Sequence, residues 1–151
     1  MNEGAHAQSL RAVLQELLVC AAALNETLLA ERQALSEHNL NTLNRHTEAK
    51  KDHLLRLEVL ELQRRQLLNA LGVAPGADLI VPGLDSLWQE VRATLKRCQE
   101  ANEVNGAIVR THHRQTQRAL DLLAGRDGAE TVYAADGLPA SRSLSEEIAK
   151  A

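Results

Sequence analysis

The feature that most constrains this chain is a heptad-spaced seam without formal charge between residues 84 and 123. Its positions alternate steps of four and three residues, while charged residues are common between them. This pattern is typical of a long helix that packs along another helix. The seam consists of Leu84, Trp88, Val91, Leu95, Cys98, Asn102, Asn105, Val109, His112, Thr116, Ala119 and Leu123.

Two asparagines stand in the middle of this seam, Asn102 and Asn105. Amide side chains in a seam specify a helix register at a cost in stability. Two interpretations stay open: the amides hydrogen-bond to other helices of the same chain, or they meet the helix of a partner. Gly106 follows them and lets another backbone approach, although it costs ~1 kcal/mol in a helix interior.

Two more helices precede the seam. The first is predicted from about residue 9 to 36, with Ser9 as its N-cap. The second is predicted over residues 40–71 and ends at Gly72. The first helix has its own seam at Leu10, Leu14, Leu17, Ala21, Leu24, Leu28, Glu31 and Leu35. The seam of the second helix is less regular, because charged residues share a phase with its leucines, namely Lys50, Glu61 and Arg64.

The loop and the tail complete the predicted organisation. Residues 72–83 are rich in Pro and Gly, so they form a loop in which the chain reverses direction. The sequence therefore predicts an all-α fold, an elongated antiparallel bundle of three long helices with coiled-coil-like packing. The bundle takes residues 1–124, and an irregular tail takes residues 125–151. In that tail, Ser143 and Glu146 form a potential capping box for a short amphipathic helix.

Composition excludes some functions. An aromatic content of 1% disfavours a bulky globular core, and the net charge of −3 disfavours a nucleic-acid partner. One basic stripe, Arg110, Arg114 and Arg118, repeats every four residues. It is either a solvated face, offset by acids on a neighbouring helix, or a docking edge for an acidic partner.

Enzyme and metal motifs are weak. Glu3 and His6 have the spacing of a di-iron bundle, but such a site needs two copies and further glutamates. His112 and His113 are adjacent, so they point to different faces of a helix. Glycine-rich phosphate loops are also missing. We therefore expect no catalytic residue, no metal and no cofactor.

Localisation follows from the longest apolar run near the start, residues 17–24. It is far shorter than the ~20 residues that a membrane span requires, and Glu16 interrupts the region before it. We expect a cytoplasmic protein that is not an integral membrane protein. We also expect Cys20 and Cys98 to be reduced thiols packed among the helices.

The order of these features resembles the FlgN family of flagellar type III export chaperones over nearly the whole chain. The most specific pieces are the Asn102-x-x-Asn105-Gly106 step and the Tyr133-x-x-x-Gly137 segment of the tail. Leu87-Trp88 at the start of the third helix also fits this resemblance.

The resemblance implies a cytoplasmic chaperone without catalytic activity. Its relatives bind the C-terminal helical regions of the hook-associated proteins FlgK and FlgL, prevent premature assembly and deliver these subunits to the export gate. A structural coiled-coil adaptor, or a homodimer whose seams pair with themselves, is the alternative. The predicted partner-binding residues are Asn102, Asn105, Gly106, Val109, Leu120, Leu123, Tyr133, Leu138, Leu144 and Ile148.

Overall fold

Three helices form the part of the chain that the computed structural model describes, residues 2–74, 76–77, 81 and 83–125. They are α1 (Asn2–Ser36), α2 (Leu40–Ala70) and α3 (Asp85–Leu123). The predicted all-α bundle of three helices is confirmed. The contacts of the chain divide it into two compact units, Met1–Ala107 and Ile108–Ala151.

Contacts between side chains define the direction of each helix within the first unit. Glu31 of α1 pairs with Lys50 of α2, and further from the connecting turn Glu16 pairs with Arg56. The two helices are therefore antiparallel. In α3, Cys98 contacts the carbonyl group of Ala21, and Asn105 contacts that of Leu28. Residues 85–107 of α3 therefore run parallel to α1 and antiparallel to α2.

The core of the first unit depends on α1, whose predicted seam is buried at every position. Leu10, Leu14 and Leu28 are essentially inaccessible to solvent, and Glu31 is buried among them. Full burial of one leucine side chain stabilises a fold by about 1.5–3 kcal/mol, so this seam is a major source of stability. Leu60 of α2 and Val91 of α3 pack into the same cluster.

The first helix begins at Asn2, seven residues before the predicted N-cap at Ser9. Residues 3–8 contain two alanines and a glutamine, which are good helix formers. Glu3 lies in the first turn, where a carboxylate interacts favourably with the helix dipole. The serine at position 9 therefore remains inside the helix.

The ends of α2 follow from local chemistry. At the start, the side chain of Asn39 accepts a hydrogen bond from the backbone N–H of Thr42 at 3.2 Å, which is an N-cap. At the end, Gly72 adopts a left-handed φ of 73°. The N–H of Val73 donates to the carbonyl oxygen of Leu68 at 3.0 Å, the hydrogen bond that terminates many helices. The predicted role of Gly72 is confirmed.

The buried face of α3 differs slightly from the predicted seam. Thr94 and Ala101 are buried, whereas Leu95 is half-buried and Asn102 is exposed. The buried positions still repeat every seven residues, but alternate positions are shifted by one residue, because α3 packs against two helices rather than one. The buried residues that belong to α3 itself are Val91, Thr94, Cys98, Ala101 and Asn105.

By length and composition, α1 also meets the criteria for a membrane-crossing helix. The core helix of a soluble protein meets the same criteria, because it is also long and apolar. In this chain the leucines of the α1 seam from Leu10 to Leu28 pack in clusters with residues of α2 and α3.

A charged cluster lies where the end of α2 meets the start of α3. Arg64 donates two hydrogen bonds to the carboxylate of Glu61, at 2.7 and 2.8 Å, and Arg65 donates a third at 2.9 Å. The guanidinium of Arg64 also lies 4.3 Å from the ring centre of Trp88. The hydrogen bonds from Arg64, followed by those from Arg65, hold the pKa of Glu61 below its ordinary value of 4.5, although partial burial opposes this shift.

The lowered pKa of Glu61 predicts a pH-dependent contribution to stability. A carboxylate with a lowered pKa in the folded state stabilises the fold above its unfolded pKa, and loses that effect as the pH falls through its folded pKa. We expect Glu61→Gln to lower the free energy of unfolding at pH 7 by up to about 1 kcal/mol. The difference from wild type should shrink as the pH falls below 4.5, as measured by urea unfolding. Glu58→Gln, which makes none of these contacts, is the matched control, and a constant difference down to pH 3 would refute the assignment.

Candidate functional site

The predicted partner-binding residues occupy different environments. Asn105 is buried, with 1% of its surface exposed. Asn102 is exposed and Gly106 is half-buried. Three apolar residues further along α3 are exposed, namely Val109, Leu120 and Leu123. The four tail residues Tyr133, Leu138, Leu144 and Ile148 lie outside the described residues.

Asn105 links α3 to α1 with both ends of its amide. Its Nδ2 donates to the backbone oxygen of Leu28 at 2.8 Å and to Oε1 of Glu31 at 3.2 Å. Its Oδ1 accepts a hydrogen bond from Nε of Arg32 at 3.1 Å. Both amide N–H groups therefore have partners, which a buried amide requires.

Lys50 brings α2 to the same level of the bundle. Its ammonium group donates to Oε1 of Glu31 and to Oδ1 of Asn102, both at 3.2 Å. Arg32 adds a longer hydrogen bond from its guanidinium to the backbone oxygen of Ala101 at 3.5 Å. We call these residues the polar junction, which consists of Glu31, Arg32, Lys50, Asn102 and Asn105.

The polar junction satisfies a carboxylate that would otherwise be costly to bury. Glu31 is only 5% exposed, and an isolated buried charge costs several kcal/mol. Its Oε1 accepts hydrogen bonds from two helices, and Lys50 Nζ lies 3.1 Å from its Oε2. Oε2 itself receives no hydrogen bond. Lys50 of α2 therefore neutralises the carboxylate, and Asn105 of α3 adds a hydrogen bond, so the contacts of Glu31 involve all three helices.

Charged residues at seam positions of the first two helices indicate this junction in the sequence. Glu31 lies in the seam of α1, and Lys50 lies in the phase of the leucines on α2. Opposite charges in the seams of two consecutive antiparallel helices predict a buried ion pair. Arg32 lies outside the seam of α1, so its contact with Asn105 had no comparable signal.

The thiol groups also join helices. Cys98 donates to the backbone oxygen of Ala21 at 3.2 Å, and Cys20 donates to that of His53 at 3.5 Å. Both cysteines are free thiols, as predicted, and burial raises the pKa of each. Both side chains therefore act as small packing groups with weak donors.

The described part of the second unit is the last portion of α3. We call residues 108–123 the exposed α3 segment. Val109, Leu120 and Leu123 are 50%, 54% and 87% exposed. Val109 and Leu123 belong to the predicted seam, and Leu120 lies next to a seam position. Arg110 and Arg118 are also exposed, and Arg114 donates to Oγ1 of Thr111 at 3.3 Å. This segment can therefore offer apolar side chains, flanked by guanidinium groups, to an amphipathic helix.

A second exposed apolar stripe lies on α2. It contains Leu55, Val59 and Leu62, each about half exposed or more. Their spacing of four and three residues places them on one face of the helix.

Within residues 2–74, 76–77, 81 and 83–125, no group of three or more His, Cys, Asp or Glu side chains is arranged to hold a metal ion.

The two asparagines give a matched pair for testing the polar junction. Asn105→Ala should lower the free energy of unfolding by about 1–3 kcal/mol, because it removes the three hydrogen bonds that the buried amide makes with Leu28, Glu31 and Arg32. Asn102→Ala should stay within about 0.5 kcal/mol of wild type, because Asn102 is at the surface. Chemical denaturation followed by circular dichroism measures both. Equal losses would contradict the assignment of Asn105 to the packing of the helices.

Comparisons with known proteins show the family of this chain. The model of the FlgN protein family matches residues 1–141. The flagella synthesis protein FlgN of Salmonella typhimurium strain LT2 is 29% identical over 127 residues, which cover 83% of this chain and 86% of the relative. The protein of the same name from Salmonella typhi matches with the same identity and coverage. No solved structure matches the chain significantly. The predicted resemblance to this family is thereby confirmed, and the chain belongs to the FlgN family of flagellar proteins.

Proposed function

We propose that this protein is a cytoplasmic flagellar export chaperone without catalytic activity. Its clients are the C-terminal helical regions of hook-associated proteins, which it keeps from assembling early and delivers to the type III export gate. Membership of the FlgN family supports the flagellar role. The relatives in Salmonella are named for flagella synthesis. We extend that role for this chain by proposing its clients and its delivery of them to the export gate.

The observation that carries this proposal is the exposed α3 segment. Val109, Leu120 and Leu123 leave half or more of their surface in water. Burying such side chains against a partner contributes about 25 cal/mol per Å² of apolar surface. A client helix with apolar residues at heptad spacing is the partner that fits a helical surface of this kind.

Different residues of the predicted set take different parts in this mechanism. Asn105 contributes from inside, by holding α3 in register with α1. Val109, Leu120 and Leu123 contact the client. The tail residues Tyr133, Leu138, Leu144 and Ile148 remain predicted contacts with the client or the gate, because the resemblance assigns partner contact to that region.

Calorimetry with C-terminal helical peptides of the organism's own hook-associated proteins tests the proposal. We expect saturable binding to the full chain. The double variant Leu120→Asp with Leu123→Asp should bind at least about tenfold more weakly, because each leucine buried by a client contributes more than 1 kcal/mol.

The matched control is the double variant Leu55→Asp with Leu62→Asp, which changes two exposed leucines of α2. It should bind the peptides as tightly as the wild type. If the control loses binding and the α3 variant does not, the client docks on α2 instead. If none of the peptides binds at high micromolar concentration, the proposed function is wrong. A dimer that persists at nanomolar concentration and ignores the peptides would favour the coiled-coil adaptor.

A further inference from the structure

A cavity of about 600 Å³ opens where the end of α2 meets the start of α3. It lies within the first unit and shares no described residue with the exposed α3 segment. Three arginines line it, and the only tryptophan of the chain forms part of its wall. We call it the arginine cavity, and its defining residues are Arg64, Arg65, Arg92 and Trp88.

The charge around the arginine cavity is positive, although the whole chain carries a net charge of −3. Among the described lining residues, Asp85 is the one carboxylate. Glu61 does not line the cavity, but it pairs with two of the arginines. Among the described residues at the cavity, three guanidinium groups therefore stand against two carboxylates, and this local excess of positive charge attracts an anionic group.

Two of the guanidinium groups are held in place but keep donors for a ligand. Arg64 is only 16% exposed, stacks on Trp88, and gives two of its hydrogen bonds to Glu61. Arg65 gives one hydrogen bond to the same carboxylate. A guanidinium group has five N–H donors, so both retain donors. Because these side chains are already ordered, a ligand loses less conformational entropy in binding them.

The remaining walls are suited to a peptide. Leu68 and Val73 line the cavity beside Trp88 and give it an apolar side. Tryptophan and arginine are the residue types that most often dominate the energy of protein interfaces. A guanidinium group matches the planar geometry of a carboxylate with two parallel hydrogen bonds. Inorganic phosphate has no apolar group to pack against Leu68 and Trp88, so it would use only the charged side of the cavity.

From this arrangement we propose that the arginine cavity binds an acidic peptide segment of a partner protein. Glutamate or aspartate side chains of that segment accept hydrogen bonds from Arg65 and Arg92, and an apolar side chain packs against Trp88. The site is separate from the exposed α3 segment, so it is independent of the proposed client surface.

Trp88 provides the readout, because it is the only tryptophan in the chain. The probe is the blocked peptide Glu-Glu-Leu-Glu-Glu, and its neutral counterpart is Gln-Gln-Leu-Gln-Gln. We expect a saturable change in tryptophan fluorescence with the acidic peptide, and at least about tenfold weaker binding of the neutral one. Higher salt should weaken the binding of the acidic peptide.

Arg92→Gln tests the site itself. Arg92 is exposed, so its replacement should leave the fold intact, and it should weaken binding of the acidic peptide about tenfold. Arg45→Gln removes the same charge from an exposed position of α2 outside the cavity and should leave binding unchanged. If circular dichroism detects unfolding of the first variant, Arg65→Gln replaces it, because the side chain of Arg65 is 70% exposed.

Three results would overturn this proposal. Equal affinities for the acidic and neutral peptides would show that the carboxylates do not contribute to binding. Equal affinities of Arg92→Gln and Arg45→Gln would place any binding elsewhere. Displacement of the peptide by an equal concentration of inorganic phosphate would identify a simple anion site. Binding of the hook-associated peptides should be unaffected by Arg92→Gln, so a failure of this proposal is distinguishable from a failure of the proposed function.

Discussion

The structure depends on one buried amide, that of Asn105. Its Nδ2 contacts the backbone of Leu28 and the carboxylate of Glu31, so α3 packs on α1 with the buried amide fully hydrogen-bonded. Glu31 in turn requires Lys50, which brings α2 to that level. A bundle of aliphatic seams has many registers of similar packing energy, and polar residues in the seam select one of them. The polar junction performs that selection.

The apolar residues of α3 have two different surroundings along the helix. From Val91 to Asn105 the seam residues hold the helices together. Further along the same helix, Leu120 and Leu123 are exposed. The proposed chaperone function uses this second part, in which apolar groups remain available to a partner. Because the two parts differ in burial, substitutions can affect stability and client binding separately.

Much of the fold was predictable from local patterns, since α1 buries every predicted seam position and Gly72 ends α2 as expected. The face of α3 was harder to predict, because α3 lies against two helices. Thr94 and Ala101 are buried although the heptad pattern selected Leu95 and Asn102, and Asn102 contacts Lys50 of α2 at the surface. A heptad pattern predicts which side of a helix is buried. It does not predict which of two neighbouring helices contacts the residues at either margin of that side.

The two sites differ in how far the sequence could reveal them. Leu120 and Leu123 were predicted as partner-binding residues from the seam and the family resemblance, and that role remains a proposal. The arginine cavity was not predicted, because Arg64 and Trp88 are far apart in sequence and meet only once the register of α2 against α3 is known.

The central claim is that the exposed α3 segment binds a client helix, whereas the polar junction holds the helices of the first unit in register. Hydrogen–deuterium exchange of the full chain, with and without a C-terminal peptide of a hook-associated protein, tests it most directly. The claim predicts slower exchange of backbone amides in residues 108–123 on binding, with little change in residues 10–35. Protection confined to α1 or α2, with residues 108–123 unchanged, would contradict it.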